Sequence, residues 1–408
     1  MKLLVVSQYF WPEDFRVNDL VAGMRERGHD VTVLTGWPNY PDGKVFPKFR
    51  ATPSDFACFQ GAEVVRVPLI PRGDNATMLA LNYLSFALSA SLLGPWRLRR
   101  RRYDAVFVFQ TSPVTAAFPA LLLARLKRTP VSMWILDLWP DTLHAIGAVR
   151  SQRLLSIVGA LVRFIYRRCD LILVQSKAFL PNVERYGGER EKIRYFPNWI
   201  EPTFAPGLEG IAVAPELVDF SATFNVMFAG NIGEAQDMPS VLDAAERTRD
   251  IDDLRWLIVG EGRAAGELRE AIANRGLVDR VILLGRHPVE RMPEFFTGAH
   301  AMLVSLKREP IWAMTVPGKV QSYLAVGKPV LAMLDGEGGR VVDESGGGLV
   351  SPAGDGVALA ANVRRLHAMS ATERRIMGER GRAYAAREFG RAALFTRLEA
   401  LLTGEKVP

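Results

Sequence analysis

The stretch Phe224-Asn-Val-Met-Phe-Ala-Gly-Asn-Ile-Gly233 decides how this chain can fold. Its first six residues form an apolar run of strand length, and the glycines after it mark a tight turn. Glycine lets the backbone approach a ligand closely, and a helix that starts after such a turn can point its free amide groups at an anion. The stretch therefore predicts a strand of a doubly wound parallel domain, with ligand contacts at Gly230, Asn231 and Gly233.

The same alternation of short apolar runs and helical patterns extends over the whole chain. We predict strands at 2–7, 31–35, 63–68, 105–110, 131–136, 171–175, 224–230, 255–260, 281–285, 301–306 and 330–333. Near-continuous apolar strands separated by helices indicate parallel sheets that are covered on both faces. Two such sets predict an α/β protein with two Rossmann-like domains.

The length of 408 residues suits two domains, and a stretch rich in proline between Pro197 and Pro215 predicts the linker. We therefore assign residues 1–205 to a first domain and residues 218–385 to a second. No strand follows the last helix, so we predict that residues 386–408 pack back on the first domain.

Composition narrows the function classes. Two cysteines cannot build a disulfide framework, and the apolar run near the N-terminus is too short for a secretory signal, so we expect a cytoplasmic protein. Residues 1–205 hold 27 Lys and Arg against 17 Asp and Glu, whereas the rest of the chain is slightly acidic. A basic half suits anionic lipid or phosphorylated substrates. Because no nucleic-acid motif accompanies it, we predict no nucleic-acid partner.

One segment in the basic half is apolar enough to bear on membranes. Residues 78–96 are almost continuously apolar, and five arginines follow between residues 97 and 102. Asn82, Pro95 and several serines make a spanning helix marginal, whereas an interfacial helix with a cationic collar fits well. We predict membrane contact through residues about 78–102; a buried helix with a solvated basic end is the alternative.

Ligands of doubly wound folds sit at the carboxyl ends of strands, so the turns after the strands are the candidate site. In the back half these turns hold Glu261 and Gly262, then Arg286, then Lys307. The sharpest element is Pro317-Gly318-Lys319, which opens a helix. A lysine in a first turn opposes the helix dipole, so its presence there predicts a bound anion such as a diphosphate.

In the front half, the loop after the first strand offers Glu13 for a sugar hydroxyl and Arg16 for a phosphate. The strand at 131–136 leads into Asp137-Leu-Trp-Pro-Asp141. Carboxylates bond sugar hydroxyls and an indole face packs on a sugar ring, so this loop predicts a sugar pocket. Asp141 could alternatively cap the next helix.

Neither a metal site nor a dinucleotide site emerges from the sequence. The one Asp-x-Asp, Asp250-Ile-Asp252, precedes a strand and so lies at the edge opposite the predicted ligand site. The turn at Gly260-Glu-Gly262 lacks the full dinucleotide fingerprint because Gly266 comes one place too late. We therefore predict no metal and no cofactor, with cationic side chains steadying a leaving diphosphate instead.

Taken together, these stretches resemble family 4 glycosyltransferases of the GT-B fold, and more narrowly bacterial surface-polysaccharide transferases that add N-acetylated fucosamine-type sugars. The resemblance covers nearly the whole chain. The motifs that carry it are Gln8-Tyr-Phe-Trp-Pro-Glu13, Arg27-Gly-His-Asp-Val-Thr-Val-Leu-Thr35, Pro38-Asn-Tyr-Pro-Asp-Gly43, Asp137-Leu-Trp-Pro140, Pro197-Asn-Trp199, Gly230-Asn-Ile-Gly233 and Pro317-Gly-Lys-Val-Gln-Ser-Tyr-Leu-Ala-Val-Gly-Lys-Pro329.

The resemblance implies two domains facing a central cleft and retaining transfer from a UDP-sugar held mainly by the second domain. It also implies a polyprenyl-diphosphate-linked acceptor at the inner face of the cell membrane. The chain departs from the broad family, whose Glu-x7-Glu motif falls on Met314 and Ser322 and whose diphosphate-binding Arg and Lys fall on Asn231 and Gln236. Other cations must serve here: Lys319, Lys307, Arg286 or Arg16.

Two sets of residues summarise the predicted site. The candidate catalytic residues are Asp137, Asp141, Lys319 and Glu13. The candidate donor-binding residues are Arg16, Gly230, Asn231, Gly233, Glu261, Gly262, Arg286, Lys307, Gly318, Lys319 and Ser322. Two other functions fit a two-domain chain of this kind: a nucleotide-sugar 2-epimerase, which needs no acceptor, and a non-catalytic two-lobed sugar-binding protein.

Overall fold

In the computed structural model the chain forms two compact units. The first comprises Met1–Phe196 and the C-terminal stretch from Phe395, and the second comprises Pro197–Leu394. The change of unit thus falls before residue 205, and the return to the first unit falls after residue 386. The structure describes residues 1–405 except 74, 146, 148 and 150.

Helices and strands alternate through both units. The strands are β1 (Lys2–Val6), β2 (Asp30–Gly36), β3 (Cys58–Phe59), β4 (Ala62–Val67), β5 (Ala105–Gln110), β6 (Val131–Ile135), β7 (Leu171–Val174), β8 (Ile193–Tyr195), β9 (Phe224–Ala229), β10 (Leu254–Val259), β11 (Val281–Gly285), β12 (Ala301–Ser305), β13 (Val330–Met333) and β14 (Gly348–Ser351). The helices are α1 (Arg16–Glu26), α2 (Pro47–Ala51), α3 (Ala76–Arg97), α4 (Ala117–Lys127), α5 (Asp141–Ala145), α6 (Gln152–Tyr166), α7 (Phe179–Arg185), α8 (Met238–Arg247), α9 (Ala265–Asn274), α10 (Met292–Thr297), α11 (Pro310–Ala313), α12 (Gly318–Ala325), α13 (Gly336–Ser345), α14 (Gly356–Ala368), α15 (Ala371–Phe389) and α16 (Arg391–Thr403). Short 3₁₀ turns lie at Pro53–Phe56, Val114–Ala116, Arg190–Lys192, Pro215–Phe220, Glu234–Gln236 and Val289–Arg291.

The first unit is built on one sheet with the strand order β3-β4-β2-β1-β5-β6-β7-β8. Its strands are parallel except β3, which runs antiparallel to β4. The chain winds outward from β1 in one direction through β2 and β4, then returns and winds in the other direction through β5 to β8. The switch point therefore lies between β1 and β5, where ligands of such sheets bind at the carboxyl edge.

Helices α3, α4 and α6 lie side by side on one face of this sheet. They connect β4 to β5, β5 to β6 and β6 to β7, so all three crossovers advance in the same direction across the sheet. Right-handed crossovers that advance in one direction place their helices on one face. Contacts of α4 with both α3 and α6 agree with this arrangement.

The second unit is built on a sheet with the order β11-β10-β9-β12-β13-β14, parallel throughout its described pairs. Apolar side chains alternate between its two faces: Met227 of β9 packs in one core cluster, and Val226 and Phe228 pack in the other. Burial on both faces explains why the strands read as continuous apolar runs. The switch point of this sheet lies between β9 and β12.

Every strand predicted from the sequence is present, with ends that differ by one residue or less, and the fold is the predicted pair of parallel Rossmann-like sheets. The sequence analysis missed β3, β8 and β14. Each is a short strand at a sheet edge, and a run of two to four residues is too short to show a period.

Candidate functional site

The loops after β9 and β10 lie against each other so closely that only glycine fits at two positions. A Cβ atom on Gly260 would lie 1.9 Å from the carbonyl oxygen of Gly230, and one on Gly262 would lie 2.1 Å from that of Ile232. The amide of Ile232 donates to the carbonyl of Glu261 over 3.0 Å. The glycines predicted as donor contacts thus bring two backbones together at the carboxyl edge of the sheet.

Lys319, in the first turn of α12, projects its side chain into this edge. Its Nζ lies 3.7 Å from the centroid of the Phe228 ring, and a Cβ on Gly230 would lie 2.6 Å from its Cε. Among the described residues no hydrogen bond or ion pair reaches its ammonium group. Desolvation lowers the pKa of Lys319 to about 7. An anion bound here would provide a negative charge next to the Lys319 ammonium group, for which the described residues offer no carboxylate partner.

The other predicted cations of this unit are more exposed. Lys307 Nζ lies 4.0 Å from a Glu234 carboxylate oxygen, and the exposed Arg286 has no polar partner among the described residues. Asn231 is also exposed, and Glu261 lies 3.9 Å from Arg269. These side chains are exposed and do not converge on one ligand position, so their contacts with a donor stay predictions.

Two of the four positions that depart from the broad family, Gln236 and Ser322, carry structural bonds. Gln236 accepts a bond from the Gly233 amide through Oε1 (2.9 Å), and its carbonyl accepts one from the Ser305 hydroxyl (2.6 Å). Ser322 is buried within α12 and donates to the carbonyl of Gly318 over 3.2 Å. Gln236 therefore fixes the loop after β9, and Ser322 is bonded within its own helix.

Glu13 holds together two loops of the first unit. Its Oε1 accepts bonds from the amides of Asn39 and Tyr40, both at 2.7 Å, and its Oε2 accepts one from the Phe10 amide at 3.1 Å. Burial raises the pKa of Glu13 to about 7, although these amide bonds lower it. The carboxylate is thus used by backbone groups, which assigns Glu13 a positioning role; contact with a sugar stays a prediction.

Next to Glu13 the first unit contains a buried network of amide side chains that the sequence analysis did not assign. Asn82 of α3 accepts a bond from Gln8 Nε2 (2.6 Å) and donates to Asn39 Oδ1 (3.4 Å). The Oε1 atoms of Gln8 and Gln110 are buried without a donor within the described part of the chain. Gln110 ends β5 and Gln8 lies two residues after β1, the strand that pairs with β5, so both glutamines lie at the carboxyl edge beside the switch point. Burying an amide side chain costs free energy unless it is hydrogen-bonded, so Asn82 within an apolar helix was the feature of the sequence that could have indicated this network.

Asp137 and Asp141, predicted as one sugar pocket, belong to different hydrogen-bond groups. Asp137 Oδ2 accepts a bond from the Ser112 hydroxyl (2.9 Å), which in turn accepts one from Trp139 Nε1 (3.0 Å). Burial raises the pKa of Asp137, and the Ser112 bond opposes that rise. Asp141 begins α5 and pairs with Arg185 at 2.8 Å. Asp137 therefore lies beside an indole, as a sugar pocket needs, whereas Asp141 is already paired.

Arg16, the remaining predicted donor contact, begins α1 in the first unit, whereas the other predicted donor contacts lie in the second unit. Across the described residues no group of three or more His, Cys, Asp or Glu side chains could hold a metal ion. Asp250 is instead paired with Arg364 and Asp252 with Arg280.

Comparison with known families agrees with this architecture. Residues 15–199 match the model of the Glycosyl transferase 4-like domain, and residues 223–369 match that of Glycosyl transferases group 1. The two matches together span most of the chain, one in each unit. The chain is a GT-B glycosyltransferase.

Several proteins that resemble this glycosyltransferase share a low fraction of identical residues with it. WcaI of Escherichia coli K12, which carries the name of a colanic acid biosynthesis glycosyl transferase, is 25% identical over 80% of this chain and 82% of its own length. WbjE of Pseudomonas aeruginosa, named as a glycosyltransferase, is 24% identical over 75% and 74%. Anabaena HepE, solved with UDP, has a TM-score of 0.73 at 15% identity, covering 99% of this chain and 100% of that one. At that identity the likeness shows the fold alone.

Proposed function

We propose that this glycosyltransferase moves a sugar from a UDP-sugar, held by the second unit, to a lipid-linked acceptor in surface polysaccharide assembly. The observation that carries the proposal is Lys319, a desolvated lysine at the switch point of the second sheet for which the described part of the chain offers no counter-ion. A nucleotide diphosphate supplies the missing negative charge. The UDP bound by HepE and the name of WcaI support the choice of donor and of pathway.

In the proposed reaction the sugar's anomeric carbon loses its bond to the β-phosphate oxygen and gains one to the acceptor oxygen with retention of configuration, and the acceptor hydroxyl gives its proton to the departing β-phosphate. Lys319 would stabilise the charge that develops on the leaving diphosphate, and the glycine loops would place backbone near it. We propose that no metal takes part, because the described residues offer no ligand cluster and Lys319 offers a cation. The sugar is proposed to be an N-acetylated amino or deoxy sugar, on the family resemblance.

The acceptor is proposed to be a polyprenyl-diphosphate-linked sugar that the first unit binds at the cytoplasmic face of the membrane. Asp137 beside Trp139 offers a carboxylate for a hydroxyl and an indole for the ring. The segment 78–102 would bring the unit to the lipid that carries the acceptor.

The first test is a thermal-shift panel with UDP, GDP, ADP and CMP, each without metal and then with Mg²⁺. A nucleotide at about 100 times its dissociation constant should stabilise the fold by about 2.7 kcal/mol. We expect a shift with UDP that Mg²⁺ does not change. A chain that responds to none of the four nucleotides would contradict the proposal.

A second assay separates transfer from epimerisation. UDP-sugars are incubated with the enzyme with and without membrane-extracted lipid acceptors, and both UDP release and sugar isomers are measured. Transfer requires acceptor-dependent UDP release. A new isomer formed without UDP release and without acceptor would instead assign the chain as a nucleotide-sugar 2-epimerase.

A further inference from the structure

Helix α3 shows the reverse of the pattern expected for a surface helix. Its outward side carries large apolar side chains, with Leu84, Leu88 and Leu92 exposed at 58%, 63% and 66%, and Leu81 and Trp96 on the same side. The spacing of these residues keeps them on one stripe along the helix. Isolated apolar side chains on a surface are ordinary, but a continuous apolar stripe on a helix of 22 residues marks an interaction surface.

The polar side chains of α3 face the protein. Asn82 is fully buried in the amide network, Ser85 accepts a bond from the Ile70 amide (2.9 Å), and Ser89 donates to the Pro68 carbonyl (2.5 Å). By length and composition α3 is the one helix among the described residues that could cross a membrane. Its inner bonds to the segment after β4 hold it side-on against the sheet, so in this fold it cannot span.

Two neighbouring helices extend the apolar stripe of α3. Leu126 of α4 and Leu154, Ile157 and Phe164 of α6 are exposed. The ring of Phe164 lies 6.1 Å from that of Phe118 of α4, which links the two helices. Because α3, α4 and α6 share one face of the sheet, their outward sides form one surface, which we call the three-helix face.

The three-helix face carries only positive charge. The sequences 76–102, 117–128 and 152–168 contain no Asp or Glu. Except for Arg153 at the start of α6, the cationic residues gather at the C-terminal ends of the three helices: Arg97, Arg99, Arg100, Arg101, Arg102, Arg125, Lys127, Arg128, Arg163, Arg167 and Arg168. Arg101 pairs with Glu63, whereas Arg100, Arg102 and Arg128 have no polar side-chain partner among the described residues. Arg99 lies over the Trp96 ring at 5.1 Å, an arrangement suited to the level of lipid headgroups.

We propose that the three-helix face is a monotopic docking surface for a bilayer that contains anionic phospholipid. The outward leucines would enter the acyl boundary, and the arginines at the helix ends would bind headgroup phosphates. A second protein copy would bring its own cluster of arginines against this one, and the two clusters of like charge would repel each other. This inference rests on the proposed lipid-linked acceptor and extends the contact from residues 78–102 to α4 and α6.

The test is flotation of the purified chain with vesicles of phosphatidylglycerol and phosphatidylcholine, and with phosphatidylcholine alone. We expect binding to the anionic vesicles that weakens with salt and with loss of the anionic lipid. The double variant Leu84→Glu/Leu88→Glu should lose at least tenfold in binding. Arg100→Gln/Arg102→Gln should lose about fivefold for each charge removed.

The matched control is Val278→Glu/Val357→Glu, which places the same two charges at similarly exposed apolar sites (56% and 57%) in the second unit. It should bind vesicles like the parent chain. UDP-induced thermal shifts are measured on every variant, so loss of the fold or of the donor site is distinguished from loss of docking.

Three outcomes would overturn the inference. The parent chain could fail to bind anionic vesicles; the double leucine variant could bind as well as the parent; or that variant could turn a dimer into a monomer without changing lipid binding. The last outcome would assign the face to a second copy of the chain.

Discussion

Replacement of Lys319 tests the core of the proposed site. Lys319→Met keeps an unbranched side chain that can pack on the Phe228 ring, but it removes the ammonium group that lies 3.7 Å from the ring centroid. Loss of one preorganised cation at a leaving group costs about 2–4 kcal/mol in the transition state, which is about 30- to 900-fold in kcat/KM. We expect a loss in this range, measured as acceptor-dependent UDP release.

The lowered pKa gives the same residue a pH signature. Lys319 in the free enzyme loses its charge above pH about 7, so the affinity for UDP should fall with rising pH, by at most tenfold per unit. The terminal phosphate of UDP, with a second pKa of about 6, is largely ionised above pH 7, and its remaining titration would raise the affinity rather than lower it. Calorimetric titration with UDP between pH 7 and 9 measures the slope.

Lys319→Arg is the matched control for this slope. A guanidinium group stays charged above pH 12, so this variant should bind UDP with little dependence on pH between 7 and 9. Lys319→Met should bind weakly and also without a slope.

Stability provides a readout that is independent of catalysis. The folded pKa of Lys319 lies below the unfolded value of 10.5, so between pH 7 and 10.5 the unfolded chain binds more protons and this group makes the fold more stable as pH rises. Lys319→Met should remove that rise, and below pH 7 it should increase the melting temperature of the nucleotide-free protein. Unchanged kcat/KM in Lys319→Met, together with a flat UDP titration in the parent, would refute the assignment of Lys319 to the diphosphate.

Two further predictions test the loops. Gly230→Ala should weaken UDP binding at least tenfold, because its Cβ would meet Lys319 Cε at 2.6 Å and its φ of +135° disfavours a side chain. In the control, Gly266→Ala, the new Cβ has no atom within 4 Å, so this variant should bind UDP normally. Equal UDP binding by both variants would exclude the steric argument. For Glu13 the folded pKa of about 7 lies above the unfolded 4.5, so its contribution to stability is complete below pH 4.5 and is lost as pH rises to 7. Glu13→Gln should flatten that decline of the free energy of unfolding, as measured by urea unfolding at several pH values. Glu13→Ala should lower the free energy of unfolding by about 1–3 kcal/mol for each amide left without an acceptor. A decline that persists in Glu13→Gln would assign it to another titrating group.

The sequence alone predicted the two sheets because both are parallel and buried on both faces, so each strand is an apolar run that stands out from its helices. It also located Lys319, since a helix that opens with Pro-Gly-Lys after a strand of such a sheet can lie only at the carboxyl edge. What it could not predict was the environment of that lysine. The desolvation of Lys319 depends on Phe228 and Gly230, which lie about 90 residues earlier in the chain.

The same limit explains Glu13. Its position after β1 predicted a ligand contact, but its bonds go to the amides of Asn39 and Tyr40 in the loop after β2. The pairing of β1 with β2 brings those two loops together, and the sequence around residue 13 contains no local pattern from which this contact could be predicted. Edge strands such as β14 were missed for a related reason, because their pairing rather than their composition makes them strands.

Asn82 connects the three-helix face with the loops of the first unit. Its side chain bonds Gln8, in the loop after β1, and Asn39, whose amide is bonded by Glu13. A buried amide in an apolar helix costs free energy unless it is fully bonded, and here those bonds fix the inner side of α3 to loops at the carboxyl edge of the sheet. If the three-helix face docks on a bilayer as proposed, a helix held in this way by its polar side sets the height of that edge above the bilayer. The geometry thus gives a physical reason why Asn82 lies on the inner side of this helix while Leu84, Leu88 and Leu92 lie on its outer side.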